Sequence, residues 1–113
     1  MIYRDYKDLK LSALGMGCMR LPVIDGDDAK VDNGTSELVM GRVLSKYPRE
    51  SFYLADKFPG YDLSNMDKVE EIFEEQLKKC QTEYFDFYLF HNVCEMNIDA
   101  YLDESHGIHK YLM

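Results

Sequence analysis

The sequence predicts an α/β fold assembled from right-handed β-α-β units. Three observations carry that expectation. The runs "SFYLA" and "YFDFYLFH" have the length and composition of buried strands. Segments with helical spacing of apolar residues lie beside them. The two kinds of segment alternate, and such alternation leads to parallel strands joined by crossover helices.

Taken in order, "MIYRDYKDLKLSAL" alternates loosely, with Tyr3, Leu9 and Leu11 among its apolar positions, and predicts a short N-terminal hairpin. "ALGMGCM", residues 13–19, mixes small and apolar residues. Gly15 and Gly17 suit a strand whose backbone is closely approached. "RLPVIDGDD" is a loop, punctuated by Pro22 and Gly26. A first helix is expected over residues 36–46, with Val39, Met40, Val43, Leu44 and Tyr47 on one face. Asn33 and Thr35 both qualify as its N-cap, Glu37 suits the positive helix start, and Pro48 ends it.

A buried strand follows over residues 52–57, and "FPGYD" turns the chain. The second helix has the clearest signals. Ser64 and Asp67 resemble a capping box, and Met66, Val69, Ile72, Phe73, Leu77 and Cys80 keep helical spacing. Glu74–Lys78 and Glu75–Lys79 are i,i+4 pairs in the favourable order, with acids at the helix start and lysines at its end. "YFDFYLFH" is apolar except for Asp86 and His91, which predicts a central strand covered on both faces. In the tail, Ile108, Tyr111 and Leu112 could begin another helix. The expected sum is an N-terminal hairpin, about three parallel strands and two to three helices.

The length of 113 residues favours one domain, and no repeat, low-complexity tract or linker divides it. Hydrophobic residues make up 46%, with nine Tyr and six Phe, which is enough for a packed interior. The net charge of −8 repels phosphate backbones, so nucleic acid is not an expected partner. No apolar run approaches the ~18 residues of a membrane span, and the N-terminus is too polar for a signal peptide. Cys18, Cys80 and Cys94 form no C-x-x-C pair. They read as three free thiols in a reducing cytoplasm, with no metal or iron–sulfur site.

Two polar residues stand at strand ends: Lys57 closes "FYLADK" and His91 closes "DFYLFH". Active sites of parallel α/β proteins gather at the carboxyl ends of strands. A Lys and a His in equivalent places on successive strands would share one pocket. The plainer reading is that both are exposed ends of buried strands.

These residues also carry a family resemblance. "LSALGMGCMRLP" (residues 11–22) resembles the opening strand of aldo/keto reductases. "NGTSELVMGRVL" (33–44) resembles their G-x-S-E segment, which opens an early barrel helix. "RESFYLADKFP" (49–59) is similar to the strand that delivers a catalytic lysine, and "LKKCQTEYFDFYLFHNV" (77–93) to the helix, turn and strand that end in a catalytic histidine. The four pieces are collinear. The resemblance implies a (β/α)8 barrel that reduces small carbonyl substrates with NADPH or NADH. It also implies a site of Asp, Tyr, Lys and His, in which Lys57 matches the lysine and His91 the histidine. The Tyr gives a proton to the carbonyl oxygen, the Lys lowers the Tyr pKa, the Asp pairs with the Lys, and the His helps hold the oxygen.

The family's Asp and Tyr lie in a D-T-A-x-x-Y-type segment, which belongs between "DDAKVD" and "NGTSE" and has no match there. Asp56 is a poor substitute because successive strand side chains point to opposite faces. Tyr53 shares the face of Lys57 but lies about 13 Å deeper at ~3.3 Å per residue. A closed barrel takes roughly 250 residues. The expectation is therefore a single incomplete aldo/keto reductase-like domain over residues 1–113, part of the N-terminal half of a TIM-type barrel with an internal deletion. Its cofactor-binding residues are unassigned, and "GMGCMR" is not a G-x-G-x-x-G phosphate loop. Cofactor binding and turnover by this chain alone are not expected. Open sheet edges would favour self-association, and the alternative reading is a non-catalytic remnant or interaction fragment.

Overall fold

The computed structural model describes residues 1–18 and 35–112. The chain divides into two compact units, Met1–Ser36 and Glu37–Met113. In the first, β1 (Tyr3–Tyr6) and β2 (Leu9–Ser12) pair antiparallel, with Tyr3 opposite Ser12 and Tyr6 opposite Leu9. Lys7 takes a positive φ of 54° where the chain turns between them. The expected strand over residues 13–19 is not found: residues 13–18 are irregular. A Cβ built at Gly15 or Gly17 would meet nothing within 4 Å among the described residues. Close backbone approach is what makes glycine useful in a strand, and among the described residues neither position has it. The expected loop with Pro22 and Gly26, the Asn33 cap and the junction before Thr35 lie outside the described residues.

The second unit contains most of α1 (Thr35–Leu44), then β3 (Ala55–Phe58), α2 (Val69–Lys79), β4 (Phe87–Phe90), α3 (Ile98–Leu102) and α4 (Ile108–Leu112). Short 3-10 turns at Arg49–Ser51, Leu63–Asn65 and Glu104–His106 fill the connections. β3 and β4 pair parallel, Ala55 opposite Phe87 through Phe58 opposite Phe90, with α2 as the crossover. Among the described residues this parallel sheet has two strands, where about three were expected.

β3 begins at Ala55, three residues later than expected. The Leu54 amide donates to Asp86 Oδ2 at 2.8 Å, so it bonds a side chain instead of a ladder carbonyl. Arg49 fixes the same region. Its guanidinium pairs with Asp86 Oδ2 at 2.8 Å and donates to the carbonyls of Phe52 and Tyr84. β4 is not covered on both faces, for Leu89 is 46% exposed. Alternation puts Asp56 and Phe58 on the packed side of β3, leaving Lys57, with its register neighbour Leu89, on the other. The core is Phe58, Met66, Val69, Tyr101 and Ile108, with Ile72, Tyr88, Ala100 and Leu112 packed against it.

Helix α1 turns a different face inward from the one its apolar spacing predicts. Glu37, Met40, Gly41 and Leu44 are wholly or partly buried, while Val39, Val43 and Tyr47 are exposed. The cause is the contact at Gly41, where the helix passes against the Lys79 carbonyl. Glu37 adds an ion pair with Lys79 at 3.7 Å.

Helix α2 keeps its expected apolar register: Met66, Val69 and Cys80 are buried, and Ile72, Phe73 and Leu77 are half-buried. Glu75 and Lys79 pair at 3.5 Å, while Glu74 accepts the Tyr111 hydroxyl at 3.1 Å. The capping box does not form. Asp62 Oδ1 accepts from Ser64 N and Oγ, which caps the preceding 3-10 turn, and Lys68 at the α2 N-cap makes no side-chain cap bond. The helix ends at Lys79 with Cys80 as its C-cap, and beyond it Gln81 turns to a φ of 53°, its amide bonding the Lys78 carbonyl and the Thr82 amide that of Leu77.

Candidate functional site

Lys57 and His91 come together at the carboxyl end of the β3–β4 pair. Lys57 is the third residue of β3 and stands beside Leu89 in the register. His91 is the first residue after β4, and its amide donates to the Phe58 carbonyl at 3.1 Å. The pairing is thus extended one step past the strands. Leu89 and His91 are two residues apart, so an extended chain turns both side chains to the Lys57 side.

The electrostatics agree with that placement. Burial lowers the His91 imidazole below its ordinary 6.5, and the Lys57 ammonium lowers it further. His91 is therefore neutral at pH 7 and carries one N–H donor and one acceptor. Tyr61, in the turn after β3, sets its ring edge-on to the imidazole with centroids 4.9 Å apart. Among the described residues, Lys57 Nζ has neither a hydrogen-bond nor an ion-pair partner. A free cation and a neutral N–H donor at one strand end can polarise a carbonyl oxygen or hold an oxyanion.

Asp56 does not serve Lys57. Its Oδ1 accepts the Lys57 backbone amide at 2.8 Å, and its side chain sits on the packed side with Glu37. Tyr53 is exposed and packs beside Phe87 at 6.3 Å between ring centroids, back toward the start of β4.

The residues that hold this end of the sheet together were not apparent from the sequence. Gln76, 6% exposed, donates to the Lys57 carbonyl at 2.9 Å and to Glu37 Oε1 at 3.1 Å, and accepts the Tyr88 hydroxyl. It occupies the position between Ile72 and Cys80 in the apolar series of α2. A polar residue at a core position of a helix is a signal that a buried hydrogen-bonded role exists. Asn97 and Tyr101, buried around α3, tie the loops after β3 and β4. A five-residue helix leaves too little periodicity to find them by pattern.

Two shallow concavities lie elsewhere in the unit. One is lined by Asp67, Glu70, Glu71, His106 and Tyr111 among others, the second by Arg49, Glu74, Lys78 and Tyr84 among others. Neither includes Lys57 or His91. Among the described residues no group of three or more His, Cys, Asp or Glu could hold a metal ion, and no helix is long and apolar enough to cross a membrane.

The sequence model of the aldo/keto reductase family matches residues 27–104. Comparisons with curated proteins and with solved structures give no match. The matched span takes in β3, α2, β4 and α3, with Lys57 and His91 at its parallel strand ends. The match covers more than half of the 113 residues, and the chain belongs to the aldo/keto reductase family.

Proposed function

We propose that Lys57 and His91 are the lysine and histidine of an aldo/keto reductase site, a carbonyl-oxygen subsite of an NAD(P)H-dependent oxidoreductase. The observation that supports this most is their meeting at the carboxyl end of two adjacent parallel strands, with the imidazole kept neutral by burial and by Lys57. The fold in this reading is a partial (β/α)8 barrel with its N-terminal hairpin, one incomplete domain over residues 1–113, working in the cytoplasm. The chain by itself does not turn over carbonyls, because no D-T-A-x-x-Y-type segment supplies the proton donor and the partner of Lys57.

The test has two parts. Small aldehydes and ketones are offered with NADPH and with NADH, and no turnover is expected. Turnover that disappears in Lys57→Met would overturn the inactive reading and restore a complete enzyme. Separately, a small ketone or carboxylate should perturb the His91 resonances in the parent and much less in Lys57→Met. No perturbation in either would count against a carbonyl-oxygen site.

A second reading, an interaction fragment, draws support from the uncovered Leu89 and from a parallel sheet of two strands among the described residues. Sedimentation decides between an associating chain and a monomer.

A further inference from the structure

We infer that Asn97 and Tyr101 are positioning residues that set where His91 stands relative to Lys57. The inference rests on the carbonyl-oxygen reading above and concerns the same strand ends.

Asn97 is 4% exposed and uses both ends of its amide. Its Oδ1 accepts the Cys94 amide at 2.8 Å. Its Nδ2 donates to the carbonyls of Asn92 at 3.0 Å and Gly60 at 3.3 Å. Asn92 and Cys94 belong to the loop that starts at His91, and Gly60 to the loop that follows Lys57. One side chain therefore spans both loops. Asn92 has a φ of 53°, a left-handed conformation that Asn tolerates better than most residues, and Asn97 holds its carbonyl there.

Tyr101 works on the other side of His91. Its hydroxyl faces the carbonyls of His91 at 3.0 Å and Phe58 at 3.4 Å. A phenol has one hydrogen to give, and the shorter contact is to His91. The His91 amide is already bonded to the Phe58 carbonyl, so both backbone groups of His91 are tied. The ring is stacked on Phe90 at 4.7 Å and meets Phe58 edge-on at 6.2 Å. It can come this close because residue 60 is glycine: a Cβ there would lie 2.0 Å from the Tyr101 hydroxyl oxygen.

Tyr61 connects the two halves. It follows Gly60, which Asn97 holds, and it packs on the imidazole. Asn97 thus acts on the His91 backbone through Asn92 and on its ring through Tyr61.

A purely structural role would lower stability without uncoupling His91 from Lys57, so the test reads that coupling. The His91 imidazole of the full 113-residue chain is titrated by NMR in the parent, Tyr101→Phe and Asn97→Ala, each with and without Lys57→Met. In the parent, Lys57→Met should move the His91 titration up toward 6.5, since it removes the nearby ammonium. In Tyr101→Phe the titration should already be higher, and adding Lys57→Met should move it less. The Tyr61 ring-current shift on the imidazole protons should shrink in Asn97→Ala. Equal shifts from Lys57→Met in all backgrounds, with the ring-current shift unchanged, would overturn the inference. If Asn97→Ala does not fold, Tyr101→Phe decides, because it keeps the packed ring. No ligand enters these titrations. A coupling that behaves as expected while ketones leave His91 unperturbed would reject the carbonyl-oxygen reading alone.

Discussion

Gly41 has no side chain at the point where α1 meets the end of α2, and the packing there depends on it. A Cβ would sit 2.2 Å from the Lys79 carbonyl oxygen and 2.9 Å from the Cys80 carbonyl carbon. Both are backbone atoms, so neither can swing aside. Replacing glycine by alanine inside a helix ordinarily gains up to about 1 kcal/mol of propensity. Overpacking against fixed backbone costs about 1–3 kcal/mol. The second effect wins, and Gly41→Ala should destabilise the fold by about 1–2 kcal/mol on balance. A urea titration with an unchanged slope and a lower midpoint is the expected result. A higher midpoint would mean that α1 does not pack through Gly41. The sequence marks this residue only as a glycine in a helical pattern, which is ambiguous. The neighbour that makes it necessary is 38 residues away.

At the scale of elements, α1 is docked on the sheet through a carboxyl pair, Glu37 on the helix and Asp56 on β3. Asp56 Oδ2 is buried and, among the described residues, has no ordinary hydrogen-bond partner, while the Glu37 carboxyl lies within hydrogen-bonding reach. As two carboxylates they only repel, but with one shared proton they bond. Burial, then the Glu37 charge, pushes the Asp56 carboxyl up to about 7. The other groups facing the pair are Lys79, Cys80, Tyr88 and the neutral Gln76. Burial pushes the Cys80 thiol up to about 12 and the Tyr88 phenol well up, so neither adds a charge at neutral pH.

The sign of the pH effect follows from these directions. Asp56 has an ordinary value of 3.8 in the unfolded chain and a raised one in the fold. Between roughly pH 4 and pH 7 the folded state binds the extra proton, so stability falls as pH rises through that window. Asp56→Asn keeps an acceptor for the Lys57 amide and offers Glu37 an N–H at every pH. It should raise stability at pH 8 by about 1–3 kcal/mol, the cost of leaving a buried polar group unsatisfied. It should also flatten the slope between pH 4 and 7. Chemical denaturation across that range measures both, and an unaltered slope would place the titration elsewhere.

The same contact shows what was legible in the elements and what was not. The hairpin, the presence of β3 and β4 and the α2 register follow from local apolar patterning, which each segment carries by itself, while the strand expected over residues 13–19 does not form and β3 starts three residues late. The inward face of α1 does not, because close approach at Gly41 and the polar contacts of Glu37 outweigh an apolar stripe. The α2 cap was misplaced for a related reason: Asp62 competes for Ser64 and captures it two residues on.

For the whole chain, the sheet of the second unit and the net charge act against each other. Among the described residues β3 and β4 form a two-stranded sheet, and exposed strand edges invite association. Tyr53 and Leu89 lie on the side of the sheet away from the core, 50% and 46% exposed. Against this stands a net charge of −8, which keeps like copies apart at low salt. Screening weakens that repulsion once the Debye length falls to roughly 3 Å near 1 M salt, while apolar burial is not screened. Association should therefore grow with added salt, the opposite of what ion pairing between copies would give. Leu89→Glu places a charge on the uncovered face, beside Lys57 in the register, and should return the chain toward monomer without unpairing the strands. Sedimentation velocity at low and high salt, on parent and Leu89→Glu, separates the cases. A parent that stays monomeric at every salt concentration would remove the interaction-fragment reading and leave the Lys57–His91 site as the account of this chain.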